Sequence, residues 1–518
     1  MLRPLPTRPQ TTWAALCGVV AGVAGLGISD LAAWLAAPGG SPIAAVGSVV
    51  IGLLPAGMVN FGKDVLGHAD KPILLVIVAL GVVALAALGG VAELRRKGAG
   101  AAVFALVAVV GLVAVALGSG SNVAAYVPTI VGLLLAYMLL STLITRLRRW
   151  QPARAALGQD GPADPARRGF LVATTVFGVL AAAAAVGGRV LVSAANRVSA
   201  ARTDLRLPPP ATPAPAVPAG ADLAISDLSP YLTPNADFYR IDTALQVPVI
   251  DPATWSLRII GMVEEEISIT FEELLALPLV EHVATLTCVS NEVGGNLIGN
   301  ATWLGYPIRD LLARAKPLAG ADMVLSRSED GFTAGTPLDV LTDTGRQSLL
   351  AVGMNGEPLP LEHGFPVRMV VPGLYGYVSA TKWVVELKLT TFAADEGYWT
   401  PLGWSARGPI KLASRIDVPG GDVDAGTVAV AGVAWAQHTG LGGVEVQVDD
   451  GPWNKADLAE TTGPDTWRQW RYAWDAPSGS HRLTVRATDA KGTLQDPAEA
   501  PPAPDGASGY HSVKVTVR

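Results

Sequence analysis

The sequence predicts three parts in series: an α-helical membrane anchor, an α+β domain and an all-β domain. Three observations predict them. Hydrophobic residues, 50% of the 518, crowd into long blocks within the first two hundred positions. Past a proline-rich break, short apolar strands alternate with short helices to about residue 405. From about residue 409 the helices stop and a period-two alternation takes over. The length exceeds what one core serves. Charged residues make up only 16%, low for a soluble protein. A net charge of −6 argues against nucleic acid as a partner.

Within the anchor, residues 1–201, apolar segments stand near 12–36, 43–60, 72–91, 101–118, 123–145 and 170–192. Blocks such as ILLVIVALGVVALAALGG approach the roughly 20 residues that cross a bilayer. Six alternating spans with Arg3 and Arg8 inside would place Arg95, Arg96, Lys97, Arg146, Arg148 and Arg149 outside, inverting the positive-inside rule. Removing 43–60, where Pro55 and several glycines interrupt the run, repairs each conflict. The expectation is therefore five transmembrane helices, a re-entrant or interfacial 43–60 segment, and everything after residue 193 on the outer, extracytoplasmic side of the cell membrane. Membrane lipid is the implied surrounding. Arg167–Arg168 followed by Gly169, Phe170, Leu171 and a small-residue run resemble a twin-arginine export signal, a route that carries folded cargo. Residues 202–220, RTDLRLPPPATPAPAVPAG, form a Pro-rich linker favouring extended polyproline II.

Between 221 and 405, strands such as WSLRII, MVLSRS, FPVRMVV and KWVVELKLT mix with helices FEELLAL and IRDLLARA, the pattern of an α+β domain. Between 406 and 518, TVAVAGVAWA, VEVQVDDG, WRQWRYAWDA, HRLTVRATDA and HSVKVTVR alternate in an all-β, immunoglobulin-like manner.

Only two cysteines exist, so no disulfide framework supports the fold. Cys17 lies in an apolar helix as a small packing residue. Cys288, in TLTCVSNEVGG, is either inert packing or chemistry. No CxxC or HxxxH accompanies it, which disfavours zinc, and no CxxCH is present for haem. A metal on this soft thiolate would take its remaining ligands from a cofactor. The alternatives are a thiol hydrolase, with Cys288 as nucleophile and His282 or His363 as base, and a non-catalytic tethered binding protein.

TLTCVSNEVGG and WLGYPIRDLL (303–312) resemble the sulfite-oxidase-type molybdopterin oxidoreductases. TPNADFYRID (233–242) and LEHGFPVRMVVPGLYGYVSATKW (361–383) are similar to further segments of that family, and the terminal domain to its molybdenum-enzyme dimerisation domain. The resemblance implies a molybdenum cofactor with Cys288 as metal ligand and Asn291 shaping the loop around it. It implies cofactor binding by Phe238, Arg240, His363, Arg368, Gly376, Ser379, Thr381 and Lys382, since the pterin phosphate needs cationic forks and backbone amides. It implies two-electron redox or oxygen-atom transfer on a small-molecule substrate, a separate electron-transfer partner, and a homodimer as one assembly.

The chain departs from the family pattern in places. Asp242 stands where sulfite oxidases have a histidine, and Thr381 where the family lysine usually stands, with Lys382 next. Ser379 takes the neighbourhood of a missing arginine, and EGYWTPLGWSARG offers Tyr398, Trp399, Trp404 and Arg407 without a clear counterpart to the substrate tyrosine. Asp330, before Gly331, is a turn residue in this reading. The metal site is thus better specified than the substrate.

Overall fold

The computed structural model describes residues 8–36, 42–53, 70–117, 123–157, 168–169, 171–172, 174–175, 198–244 and 247–518. Two compact units emerge: 1–197 with 243–247, and 198–242 with 248–518.

The first unit is helical: α1 (Arg8–Ala36), α2 (Pro42–Leu53), α3 (Asp70–Arg95), α4 (Ala99–Leu117) and α5 (Val127–Leu157). Among the described residues, four stretches are long and apolar enough to cross a membrane: Gln10–Ala33, Val76–Arg95, Ala99–Ala116 and Val127–Arg149. The 12-residue α2 falls short of that length, and residues 54–69 lie outside the described residues. Most of the expected fifth span, 170–192, and Arg167 of the arginine pair also lie outside them. Helix α1 packs against α3 and α5 through small residues. A Cβ on Gly18 would stand 2.0 Å from the Ala86 carbonyl oxygen, and one on Gly90 2.0 Å from that of Ala14. Gly25 meets Ala136 in the same manner, with 2.6 Å between the added Cβ and the alanine methyl. Cys17 is fully buried in this seam, as its packing role requires. Large apolar side chains such as Val76, Ile77, Leu80, Leu106 and Met138 face outward instead.

The second unit begins with a helical turn at 198–204 and the proline-rich run. That run is docked and does not stand free as a spacer: Ala211 N–H donates to Leu279 O (2.7 Å) and Glu281 N–H to Thr212 O (2.8 Å). Proline lacks a donor but keeps its carbonyl, and the alanine and threonine after the Pro triplet supply the missing pairing.

Ten strands build the region that follows: β1 (Ser256–Gly261), β2 (Ile267–Thr270), β3 (Val280–Thr287), β4 (Ile298–Pro307), β5 (Met323–Ser328), β6 (Thr333–Pro337), β7 (Leu349–Met354), β8 (Glu357–Pro358), β9 (Arg368–Val370) and β10 (Val384–Thr390). One sheet has the order β2-β1-β10-β5-β6, with β1 and β10 parallel. The other runs β3-β4-β7-β8, with β9 also paired to β7. Helices α6 (Phe271–Leu275), α7 (Ile308–Ala315) and α8 (Leu338–Thr342) close the α+β arrangement. Helix α6 starts at a capping box in which Thr270 and Glu273 satisfy one another's backbone donors. Leu257, Ile259, Leu311, Val324, Leu350 and Leu389 share one buried core.

The C-terminal lobe holds two four-stranded antiparallel sheets. Strands β11 (Ala413–Val418), β12 (Gly426–Trp435), β16 (Arg468–Ala476) and β15 (Asp457–Leu458) form the first. Strands β14 (Trp453–Lys455), β13 (Leu441–Val448), β17 (Gly479–Asp489) and β18 (His511–Val517) form the second. Alternate residues of both sheets, including Val430, Val446, Trp470, Leu483 and Val515, meet in one core, which is the physical content of the period-two pattern.

Candidate cofactor site

Strand β3 runs eight residues, the first three half-buried and the last five buried, and stops just before Cys288, which is 8% exposed. The chain turns back into β4 through a short loop that satisfies its own backbone. Cys288 N–H donates to Leu297 O (2.9 Å), Asn291 N–H to Cys288 O (3.1 Å) and Gly295 N–H to Glu292 O (2.9 Å). The Asn291 side-chain oxygen accepts from Leu297 N–H at 2.8 Å, so this side chain ties the loop's two ends. Beside the cysteine, Thr287 Oγ1 is buried with no hydrogen-bond partner. A cleft lined by Thr287, Asn291, Glu292, Tyr375, Ser414 and Trp435 opens next to it.

Behind this loop, the 233–242 segment and the 361–383 segment converge into one buried cationic cluster. Arg368, 5% exposed, donates to His363 O (3.1 Å), Ala380 O (3.4 Å) and Met369 O (3.3 Å), with its guanidinium 5.1 Å from the Trp303 ring centre. Burial lowers its pKa to about 10, so it stays charged at neutral pH. Lys382 Nζ donates to Asp242 Oδ2 (2.7 Å) and Glu362 O (3.0 Å). Burial brings its pKa down to about 8, against the opposing pull of Asp242. Arg240 Nε donates to the same Asp242 oxygen at 2.9 Å. Asp242 is thus a shared anion for two of the cluster's three cations, which explains how a carboxylate is accommodated here.

His363 is held neutral: burial first, then Arg368 and Lys382, lower its pKa to about 3. Its Nε2–H donates to Asn235 O at 3.2 Å, which leaves Nδ1 as the acceptor. Phe238 sets its edge or face against Trp303 (5.7 Å), His363 (5.6 Å) and Tyr239 (5.3 Å). A Cβ on Gly299 would meet the Phe238 ring at 2.8 Å, so this β4 glycine makes room for the aromatic group.

The structure therefore brings together Phe238, Arg240, His363, Arg368 and Lys382, with the Cys288 loop adjoining through Tyr239, whose phenol interacts electrostatically with both Cys288 and Arg368. Ser379 and Thr381 are placed differently. Ser379 Oγ donates to Leu374 O (3.2 Å) and Tyr375 O (2.9 Å), and Thr381 Oγ1 pairs with Ser326 Oγ (2.7 Å). Both hydroxyls are committed to shaping their own segment. Gly376 begins the short 3-10 turn Gly376–Val378 before them. Tyr398, Trp399, Trp404 and Tyr377 form a chain of ring contacts, and Arg407 lies 4.9 Å from the Phe392 ring. Asp330 accepts from Phe332 N–H (3.2 Å), as a turn residue does. Tyr239, Thr287, Trp303 and Tyr375 were not singled out by sequence reasoning. All four stand inside the quoted motifs, so membership of those motifs was the available signal.

The residues suit a phosphate-bearing pterin. Arg240 binds Asp242 through Nε, and its guanidinium joins the buried Arg368 and Lys382 in a positive group of the kind that suits phosphate. The buried, unpaired Thr287 hydroxyl asks for a polar partner beside Cys288. Among the described residues no group of three His, Cys, Asp or Glu converges on one point, so a metal on Cys288 draws its other ligands from its cofactor.

A β-rich oxidoreductase with one buried cysteine beside a cationic, aromatic-lined site is the class that this fold and site define. Residues 244–399 match the oxidoreductase molybdopterin binding domain family. The uncharacterized oxidoreductase YuiH of Bacillus subtilis (strain 168) is 36% identical over 159 residues, 30% of this chain and 76% of that protein. The chain belongs to the sulfite-oxidase-type molybdopterin-binding oxidoreductases, and this membership indicates a molybdenum cofactor. The mitochondrial sulfite oxidase of Mus musculus is 30% identical over 324 residues, covering 52% of this chain and 58% of that protein. The chain thus spans somewhat over half the length of the sulfite oxidases it matches. Among solved structures, the sulfane dehydrogenase SoxCD from Paracoccus pantotrophus is 23% identical, with a TM-score of 0.48 over 57% of this chain and 86% of that one.

Proposed function

We propose that the chain is a membrane-anchored, outward-facing molybdenum-cofactor oxidoreductase that carries out two-electron redox or oxygen-atom transfer on a small molecule. The observation that carries this reading is the single buried Cys288 on a self-bonded loop next to the Arg240–Arg368–Lys382 cluster. When bound, the cofactor supplies the redox-active metal. Cys288 would be the protein's metal ligand, and Asn291 would fix the loop that presents it. Arg240, Arg368 and Lys382 would hold the phosphate, His363 would accept a pterin N–H at Nδ1, and Phe238 would wall the site. The backbone of Gly376, Ser379 and Thr381 would line the same segment. Electrons would leave through a separate partner, and Asp242, bound to Arg240 and Lys382, adds a negative charge that does not favour a dianion such as sulfite.

The proposed organisation is an anchor over 1–201, a linker over 202–220, a molybdopterin-binding domain over 221–405 and an immunoglobulin-like, dimerisation-type domain over 406–518. Four long apolar helices support the anchor, and the arginine count and the RRGFL run support outward sidedness by twin-arginine export. Reporters fused after residues 65 and 220 should both read the outer side; an inner reading at 65 with an outer one at 220 defeats this topology.

The hydrolase alternative loses one of its bases. His282 stands six positions before Cys288 along β3, roughly 20 Å at strand rise, and bonds Asp465 at 2.8 Å. The deciding measurement is molybdenum and pterin per chain in a cofactor-replete host, together with Cys288→Ser. The wild type should carry about one of each, and Cys288→Ser should lose turnover while keeping the pterin, because a protonated hydroxyl replaces a soft thiolate. Full redox activity in Cys288→Ser would sink the assignment.

A further inference from the structure

We infer that the C-terminal all-β lobe is a working part of the cysteine centre, with Arg415 and Gln437 as positioning residues that clamp the two ends of the Cys288 loop. This inference rests on the proposed role of Cys288, but its test does not need the metal.

The upstream end is held at Thr285, three residues before the cysteine. Its N–H donates to Asp465 O (3.0 Å), its carbonyl accepts from Gln437 Nε2 (2.5 Å), and its hydroxyl accepts from Trp467 N–H (2.7 Å). All three partners belong to the C-terminal lobe. The downstream end is held at Gly294 and Gly295. Arg415 Nη1 donates to Gly295 O at 2.7 Å, and the guanidinium is itself fixed by Asp417 (2.6 Å) and Ser229 Oγ (2.8 Å). Gly294 has φ +77°, and a Cβ there would stand 2.3 Å from His511 Nε2, so the β18 histidine fills the space over the glycine.

The energetics favour a positional role over mere lobe adhesion. Arg415 is 7% exposed, and a buried guanidinium is costly unless its donors are met. One of those donors is directed at a loop carbonyl seven residues from the metal ligand. Outer contacts that orient a ligand typically alter metal affinity or activity by about 10–100-fold when removed. With both ends fixed, the intervening loop has little freedom in where it puts the sulfur.

The test uses the full chain. Cofactor-free protein is treated with iodoacetamide, and alkylation at Cys288 is followed by mass spectrometry of its peptide; loaded protein is followed by its thiolate-to-molybdenum absorption band. Arg415→Met should speed Cys288 alkylation by about tenfold and shift or broaden the band. Arg415→Lys, which keeps one donor for Gly295, should recover part of both. Gln437→Ala should act in the same direction from the other end and serves if Arg415→Met fails to fold. Arg486→Lys, which loosens the lobe at its Glu445 pair (2.9 Å) away from the loop, should change neither readout. Wild-type alkylation and an unchanged band in both Arg415→Met and Gln437→Ala would overturn the inference, as would equal effects from Arg486→Lys. A wild type lacking molybdenum would defeat the proposed function while leaving the alkylation comparison intact.

Discussion

The two units of this chain solve packing in opposite ways. Helices α1, α3 and α5 meet through Gly18, Gly25, Gly90, Ala86 and Ala136, and their large side chains point away from the seam. The second unit buries Trp303, Trp383, Trp467, Trp470 and Phe365 almost completely and threads charged groups among them. In the membrane reading proposed above, lipid tails are as apolar as leucine. Helices then gain by close backbone approach instead of by hiding large groups. In water the large apolar group is the one that gains from burial. One unit should therefore resist losing volume poorly and the other should resist gaining it poorly.

The largest expected effect is Trp303→Ala. Trp303 is 0% exposed, donates to Ala284 O at 3.0 Å and touches both Phe238 and Arg368. Its loss should cost about 3–5 kcal/mol, read as a lowered denaturant midpoint of the second unit, together with reduced cofactor content. A cost under about 1 kcal/mol would break the contrast.

Next comes Gly90→Leu in the helical unit, where the obstacle is the Ala14 backbone and not a movable side chain. It should cost about 1–3 kcal/mol or more in thermal unfolding in detergent. Leu80→Ala, at a side chain 62% exposed, should stay within about 0.5 kcal/mol although it removes most of an apolar side chain. Equal effects of the two would show that the small-residue seam carries no special weight.

The smallest and most selective effect is a pH dependence confined to the second unit. The His363 pKa is lowered to about 3, mainly by burial, against about 6.5 unfolded. Between those values the unfolded chain binds a proton that the folded chain refuses. The contribution is complete above about pH 6.5 and is lost progressively as pH falls toward 3. His363→Gln should flatten that acid limb in a stability–pH series; an unchanged slope would mean that this ring is already protonated in the fold.

Much of this was legible in the sequence because it is written in local patterns. Period two marked the C-terminal sheets, long apolar runs marked α1, α3, α4 and α5, and ordered motifs marked Cys288, Arg240, His363, Arg368 and Lys382. What stayed hidden depends on contacts distant in the chain. Asp242 looked like a mere departure from a histidine; only in three dimensions does it join Lys382, 140 positions away. Ser379 and Thr381 have side chains suited to phosphate, yet their hydroxyls are spent inside the protein. Arg415 carried no motif at all, and its link to Gly295 crosses 120 positions. Even the proline-rich run read as a spacer, since composition reports its stiffness but not the strand on which it lies.

That docking has a consequence for assembly. Strand β3 is the terminal strand of its sheet, and an uncovered strand edge offers its backbone to any passing chain. Here Ala211 and Thr212 sheathe the start of the edge, while Asp465 and Gln437 occupy it near Thr285. The strand that delivers the cysteine is thereby closed to edge-to-edge growth. Two copies of this chain cannot join by extending that sheet through β3 without first peeling away their own covering segments.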